Sequence, residues 1–380
     1  MDCSLIPQIS YSEFGKRLMA KNSGRRIPWS ASFEVTARCN LNCVHCYINR
    51  PADDREARNR ELTADQFRRI LDETADQGCL AILFTGGEPL VREDFLELYV
   101  HAKKKGFLVN IFTNGVTITP EVADYLAEWP PRSVEITLYG RTEETYEKVT
   151  RVPGSYAKCM SGIELLLERQ IAPKMKTMAL TVNKHELWDM KAFAKQYGLE
   201  FRFDPNVNKR LDGDATPCRY RLSPEETVAL DFADKQRWEA LKEYCLKAPG
   251  MPAFPERLYW CGAGSSGFHV DPYGMMSVCI NSRVPSYDLR GGSFYQGWHE
   301  FIPGVLSRPR TRQTSCQSCM LSRMCDQCPG WAQLELGDQE IPVDFLCRVA
   351  HARAELLGIG SGSRDDPLIE ECHEENIHQA

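Results

Sequence analysis

From about residue 30 onward the chain alternates short apolar runs with longer amphipathic ones. "SASFEVT", "LAILFTG", "FLVNIFTNG", "SVEITLYG", "MKTMALTVN" and "LEFRFDP" are short, rich in β-branched and aromatic residues and closed by turn residues, which predicts six strands. Between them, "TADQFRRILDETADQG", "REDFLELYVHAKKKG" and "TPEVADYLAEW" repeat apolar residues at intervals of three and four. Thr or acidic residues stand near their starts and Gly closes two of them, so these predict helices. Strands alternating with helices make parallel β-α units, and the class is α/β, as an open doubly wound sheet or an incomplete β/α barrel. In both, ligands gather at the carboxyl ends of the strands.

The pattern changes after "FRFDP". Asn206 to Ser223 reads as a loop carrying Lys209, Arg210, Arg219 and Arg221, and Pro224 to Leu246 reads as one helix. Pro249 to Leu346 is rich in Gly, Pro and Cys with few periodic runs, too little regular core to stand without bound metal. The polar, acidic stretch from Gly358, "GIGSGSRDDPLIEECHEENIHQA", predicts a disordered tail. The expected organisation is an N-terminal extension over 1–29, a barrel core over 30–223, a linking helix over 224–248, a cysteine-rich domain over 249–357 and a tail over 358–380.

With 43% apolar and 26% charged residues the chain is of ordinary globular composition. No apolar run approaches the ~18 residues of a membrane span, and the start "MDCSLIPQIS" lacks a signal peptide's basic end and long apolar centre. A cytoplasmic protein with no membrane partner is therefore expected. The net charge of −6 gives no reason to expect nucleic acid. Sixteen cysteines change the picture, because clustered cysteines in a reducing compartment are metal or cluster ligands more often than disulfides.

Cys39, Cys43 and Cys46 in "RCNLNCVHCY" follow the first strand, "TGGEP" (Thr85 to Pro89) the second and "TNG" with Asn114 the third, so these motifs share one end of the sheet. A closed zinc site takes four ligands, and His45 is too close in sequence to Cys46 to converge with it. A cubane on three cysteines instead leaves one iron open to a small molecule. In this C-x3-C-x2-C motif, with His45 before the last cysteine, the chain resembles the radical S-adenosylmethionine superfamily. The resemblance implies a partial (β/α)6 TIM-like barrel and a [4Fe-4S] cluster on Cys39, Cys43 and Cys46. S-adenosylmethionine would chelate the open iron and be cleaved reductively to a 5′-deoxyadenosyl radical. It also implies that Gly86, Gly87 and Glu88 hold the cofactor's amino group, that Asn114 and Arg151 in "VTRVPGSY" meet its ribose and carboxylate, and that Tyr47 presents its backbone to the adenine.

Seven further cysteines lie in the last third. Cys261 and Cys279 enclose Gly274 in a C-x12-G-x4-C pattern, "CQSCMLSRMCDQC" gives Cys316, Cys319, Cys325 and Cys328, and Cys347 stands alone. The pattern signals metal, with a pair of structural zinc sites as the bland reading. It resembles the SPASM domain, a small cysteine-rich unit with two auxiliary [4Fe-4S] clusters. By position, Cys316, Cys319, Cys325 and Cys347 would bind the distal cluster, and Cys261, Cys279 and Cys328 the one nearer the active site. Only two residues precede Cys328 where the family has three, and Cys245, the nearest upstream cysteine, is sixteen residues from Cys261, so the nearer cluster is expected to keep an open iron. Cys218 is an alternative fourth ligand or an active-site residue. Cys3, Cys79, Cys159 and Cys372 read as ordinary free cysteines.

SPASM enzymes mostly modify peptides or proteins, so the resemblance implies hydrogen-atom abstraction from a peptide or protein side chain, giving oxidation or a crosslink. An electron donor such as flavodoxin or ferredoxin is then required. About 28 residues precede the first strand, too few for a leader-binding module, so a separate leader-binding protein is a possible partner. Ile280 after Cys279, where anaerobic sulfatase maturases carry Asp, counts against that group. Oxidative decarboxylation or side-chain removal on a tetrapyrrole in heme biosynthesis is the alternative; Arg202, Lys209, Arg210, Arg219 and Arg221 would suit its several carboxylates, and an acidic peptide would suit the same residues. A non-catalytic metal-binding or electron-transfer protein is the third reading. Asp204, Glu135, Tyr139 and Cys218, near strand ends, are the acid–base candidates, and "FHVDPYG", with Asp271 and Tyr273, predicts a hairpin turn before Cys279.

Overall fold

The computed structural model describes residues 11–22, 24–48, 50–246, 257–259, 261–322 and 324–359. Six parallel strands stand side by side in chain order: β1 (Ser30–Thr36), β2 (Ala81–Gly86), β3 (Leu108–Thr113), β4 (Ser133–Thr137), β5 (Lys174–Met178) and β6 (Phe201–Asp204). Each falls on one of the predicted runs, with ends that match or differ by a few residues; β5 starts one residue earlier, at Lys174. Alternate positions divide the faces. Phe33 and Val35 on β1 are completely buried, Phe33 against Phe67 of the helix Ala64–Asp76 with ring centroids 5.7 Å apart, whereas Ser32, Glu34 and Thr36 point to the concave side. Thr63 and Gln66 close a capping box on that helix, and Thr119 with Pro120 opens the helix Pro120–Glu128, so the starts read from sequence are the starts observed.

Two elements depart from the sequence expectation. The linking helix is two helices, Pro224–Ala233 and Lys235–Leu246. Asp234 between them is extended (φ −89°, ψ 95°), and its carboxylate accepts from Lys191 Nζ at 2.7 Å and from the Arg237 amide at 3.3 Å, which ends one helix and caps the next. The cysteine-rich segment also contributes to the main sheet: β7 (Gly267–Val270) lies parallel beside β1, and β8 (Met275–Ser277) and β9 (Tyr287–Asp288) follow antiparallel. The expected hairpin turn joins β7 to β8, where the Asp271 carboxylate accepts from the amides of Tyr273 and Met275, both at 2.9 Å.

The barrel's apolar core therefore runs on through Phe268, Phe294, Trp298 and Val305. The chain from Ser315 onward builds two small satellite cores, one of Leu321, Met324, Ala350 and Ala354 with Cys245 from the helix Lys235–Leu246, the other of Trp331, Ala332, Val343 and Leu346. Among the described residues no helix is long and apolar enough to cross a membrane. The predicted tail, apart from Gly358 and Ile359, lies outside the described residues, as do Cys3 and Cys372.

Candidate active site

The cysteine loop leaves the carboxyl end of β1 and is clamped from three sides. Gly87 and Glu88 donate backbone N–H groups to the carbonyls of Thr36 and Arg38, both at 2.9 Å, so the turn after β2 lies flat against the loop. Only glycine permits this: Gly86 has φ +135°, and a Cβ on Gly86 or Gly87 would stand 2.2 Å from the Thr36 or Arg38 carbonyl oxygen. The amides of Asn42 and Val44 donate to the carbonyls of Thr150 and Val149 at the end of the helix Glu143–Thr150, and the Leu211 amide donates to the Tyr47 carbonyl at 3.0 Å. Arg38 is buried in an ion pair with Glu61 at 2.9 Å, which fixes the root of the loop.

Three neighbouring thiols result, Cys43 buried and Cys39 and Cys46 half-buried. Burial first, and then the Glu88 carboxylate, push Cys39 up to about 12. Burial and the charges of Cys46 and Cys39 push Cys43 well above its ordinary value. As free thiolates, three sulfurs so close and so dry oppose one another, and a cationic cluster removes that cost; the donor set fits a three-cysteine iron–sulfur cluster. No group of three or more His, Cys, Asp or Glu among the described residues is set to hold a single metal ion. His45 is half-buried with its Nδ1 enclosed and unpartnered, its ring 5.2 Å from that of Tyr139, and desolvation lowers its pKa to about 4.

Glu88 joins the ends of β2 and β3: its fully buried carboxylate accepts from Thr113 Oγ1 at 2.8 Å, the Asn114 amide at 2.7 Å and the Leu90 amide at 3.2 Å. Burial raises its pKa to about 7. Asn114 donates through Nδ2 to Asn40 Oδ1 at 2.7 Å and to Cys39 Sγ at 3.7 Å. Arg151 sits in the left-handed region (φ 58°) at the end of the helix Glu143–Thr150, exposed, with Nη2 3.2 Å from the Tyr220 hydroxyl. The Tyr47 carbonyl is taken by Leu211, and its hydroxyl donates to Glu34 Oε1 at 2.6 Å. Thus Glu88 and Asn114 stand with the thiols, Arg151 follows the helix end that holds the loop, and Tyr47 faces inward.

The acid–base candidates are dispersed. Tyr139 packs beneath the cysteine loop between His45 and Tyr146. Asp204 accepts from the Asn206 amide at 2.9 Å, its pKa raised by burial. Cys218 lies 3.1 Å from Arg221 Nη2, and Arg221 is ion-paired with Glu335. The expected basic patch is largely spent within the chain: Arg202 on Glu135, Lys209 on the Glu335 carbonyl, Arg210 on Asp214 and Arg221 on Glu335, with Arg219 exposed.

The later cysteines fall into two groups. Cys316, Cys319, Cys325 and Cys347, brought from three segments, line one small pocket together with His351. Cys245 packs beside this group, in the core that Cys319 and Cys325 touch. Cys328 joins Cys279 and Cys261: burial, then the charge of Cys279 and that of Cys261, raise its thiol to about 11. Gly330 makes the approach possible, since a Cβ there would meet the Asn281 carbonyl oxygen at 2.5 Å. Gln327 pins the same turn, accepting from the Val343 amide at 3.1 Å and donating to the Ile341 carbonyl at 3.2 Å.

Sequence reasoning missed the link between these regions. Glu34, 1% exposed on β1, accepts from Arg283 through Nη1 at 2.8 Å and Nη2 at 2.6 Å as well as from Tyr47. Arg283 also donates from Nε to the carbonyl of Ile280, next to Cys279. One buried carboxylate thus ties the loop of Cys46 to the loop of Cys279. The available signal was a lone acid between Phe33 and Val35 in an apolar strand.

This arrangement of glycine turn, three-thiol loop and parallel strands defines a class. The Radical SAM superfamily model matches residues 33–196. Mycofactocin maturase MftC of Mycobacterium tuberculosis is 30% identical over 335 residues, covering 84% of this chain and 82% of that protein. The chain belongs to the radical S-adenosylmethionine superfamily and is an enzyme of that family. The AdoMet-dependent heme synthase of Methanosarcina barkeri is 26% identical over 339 residues, 83% of this chain and 94% of that one. Streptococcus suis SuiB bound to the precursor peptide SuiA shares the fold, with a TM-score of 0.64 and 16% identity over 87% of this chain and 78% of that one.

Proposed function

We propose that this enzyme cleaves S-adenosylmethionine reductively and removes a hydrogen atom from a side chain of a peptide or protein. The observation that carries the reading is the locked pair of turns: Gly87 and Glu88 bonded to Thr36 and Arg38, which sets the Glu88 carboxylate beside the thiols of Cys39, Cys43 and Cys46. Bound there, a [4Fe-4S] cluster and S-adenosylmethionine supply the electron and the 5′-deoxyadenosyl radical. Glu88 offers the negative end for the cofactor's amino group, Asn114 orients the Cys39 sulfur and faces the ribose, and Arg151 is available for the carboxylate. The buried aromatic wall of Tyr139 and Tyr146 keeps water from the loop.

Two auxiliary [4Fe-4S] clusters belong to this reading. It is supported by four thiols lining a single pocket and by the association of Cys261, Cys279 and Cys328. The peptide substrate is supported by the mycofactocin maturase relative. The heme synthase relative keeps a tetrapyrrole substrate as the second reading; the internal pairing of four of the five arginines and lysines that would meet its carboxylates favours the peptide. A separate leader-binding protein and a flavodoxin- or ferredoxin-type donor are the partners this chemistry calls for.

The test is anaerobic reconstitution followed by iron, sulfide and zinc counting and a 5′-deoxyadenosine assay after reduction. About twelve irons per chain, three cubanes of four, with cofactor cleavage is expected. Replacing Cys39, Cys43 and Cys46 with Ala should abolish 5′-deoxyadenosine while about eight irons remain. Product formation by that variant refutes the site, and about four irons with bound zinc would make the later cysteines structural.

A further inference from the structure

Away from the cofactor end, the concave face carries a cation that no step above uses. Lys176 on β5 is largely buried, with its Nζ 2.8 Å from the centroid of the Phe112 ring and 3.9 Å from Glu135 Oε2; among the described residues that Nζ makes no hydrogen bond. Glu135 instead accepts from Arg202 Nη2 at 2.6 Å, so one carboxylate serves two cations and the nearer is arginine. Phe112 and Glu135 are also walls of a cavity of about 260 Å3, completed by Leu83, Asn110, Arg132, Ser133 and Lys174. The other charges nearby are committed. Lys174 is paired with Glu200 at 2.7 Å, Arg132 donates from Nη1 to Asn110 Oδ1 at 3.2 Å, Asp204 accepts from the Asn206 amide, and Glu88 is held by Thr113 and Asn114. Burial, then the repulsion of Arg202, depress the basicity of Lys176, while Glu135 and Glu88 oppose the shift. The anion beside this largely buried ammonium, Glu135, stands at 3.9 Å and is already hydrogen-bonded by Arg202, so a substrate carboxylate would supply the strong charge-assisted hydrogen bond that the Lys176 Nζ lacks.

We propose that Lys176 receives a carboxylate of the substrate inside the barrel, so that the substrate is a carboxylate-bearing peptide. This rests on the peptide reading above. Binding energy gained at a group remote from the reacting atom holds the substrate in position beneath the cofactor. Lys176 Nζ makes no hydrogen bond to a residue of the cofactor site, although Glu88 lies within its electrostatic reach.

The probe is butyrate against its isosteric amide butyramide, followed by saturation-transfer NMR on the reconstituted protein with S-adenosylmethionine present. Butyrate is expected to bind at least tenfold more tightly than butyramide. Lys176→Met removes the preference, and Glu135→Gln, which takes away the internal competitor, strengthens it severalfold. Equal binding of the two probes, or a preference that survives Lys176→Met, overturns the proposal. A parallel loss of S-adenosylmethionine affinity in Lys176→Met also overturns it, by assigning the ammonium to the cofactor. Displacement of butyrate by a propionate-bearing tetrapyrrole and not by an acidic tripeptide overturns the peptide assignment. Should Lys176→Met fail to fold, Lys176→Gln reports the same contrast. Binding is read without turnover, so failure to form 5′-deoxyadenosine would count against the proposed function and leave this site standing.

Discussion

Glu88 shows how one carboxylate serves both fold and chemistry. Its pKa of about 7 is set by burial against the partly compensating hydrogen bonds of Asn114, Thr113 and Leu90. An acid whose folded pKa is raised holds a proton that the unfolded chain has released, so stability of the cofactor-free protein falls as pH rises from about 4.5 to about 7, by roughly 3 kcal/mol in total. Urea unfolding at pH 5, 6, 7 and 8 should show that slope, and Glu88→Gln should flatten it while weakening S-adenosylmethionine binding at least tenfold. A slope unchanged in the variant would mean another group titrates. Glu34 behaves oppositely: Arg283 and the neighbouring His269 hold its carboxyl well below the usual range despite burial, so its stabilisation is present above the unfolded carboxylate pKa and disappears as pH falls below that.

At the scale of elements, the turns matter more than the strands they join. Gly87→Ala would drive a Cβ to 2.2 Å from the Arg38 carbonyl oxygen, with backbone on both sides and no flexible side chain to yield. The expected result is separation of the turn from the cysteine loop, with loss of roughly 3 kcal/mol and of the Cys39, Cys43 and Cys46 cluster; iron counts and thermal melts would reveal it. The distal cysteines depend on a different device. Arg353, buried in the helix Asp344–Leu356, donates to Asp231 at 3.1 Å, to Asp326 at 2.9 Å and to the Met324 carbonyl at 2.8 Å. It ties the turn between Cys325 and Cys328 to the helix Pro224–Ala233. Arg353→Met should cost about 3 kcal/mol, because the Asp231 charge loses a buried partner, and should lower bound iron by about four while 5′-deoxyadenosine formation persists. Retention of full iron would show that the thiols hold this lobe together unaided.

Over the whole molecule, the two halves are joined through β7 beside β1 and through Glu34 within that seam. The carboxylate is buried and the pair bidentate, so Arg283→Met is expected to destabilise the protein by roughly 3 kcal/mol and, if the proposed auxiliary cluster is bound at Cys279, to disturb the spectra of both cysteine regions, measurable by electron paramagnetic resonance. Confinement of the change to one region would show that Glu34 couples nothing across the seam.

The sequence by itself determined what depends on neighbours along the chain. Period-two and period-3.6 patterns placed six strands and the helices between them, because alternate burial is a local property of each run. Cysteine spacing and the GGEP turn placed the cofactor end, because each motif follows its strand directly. The break at Asp234 escaped that reading, since an apolar period continues on both sides and the ion pair that helps fix the aspartate comes from Lys191, on another helix. Tertiary structure alone decided which charges meet. Lys176 reaches Phe112 across β4, Glu34 finds Arg283 from 249 positions away, and Cys347 joins Cys316, Cys319 and Cys325 across a helix. Such partners are chosen by the packing of distant elements under the cost of burying charge, and no period in the chain records that choice.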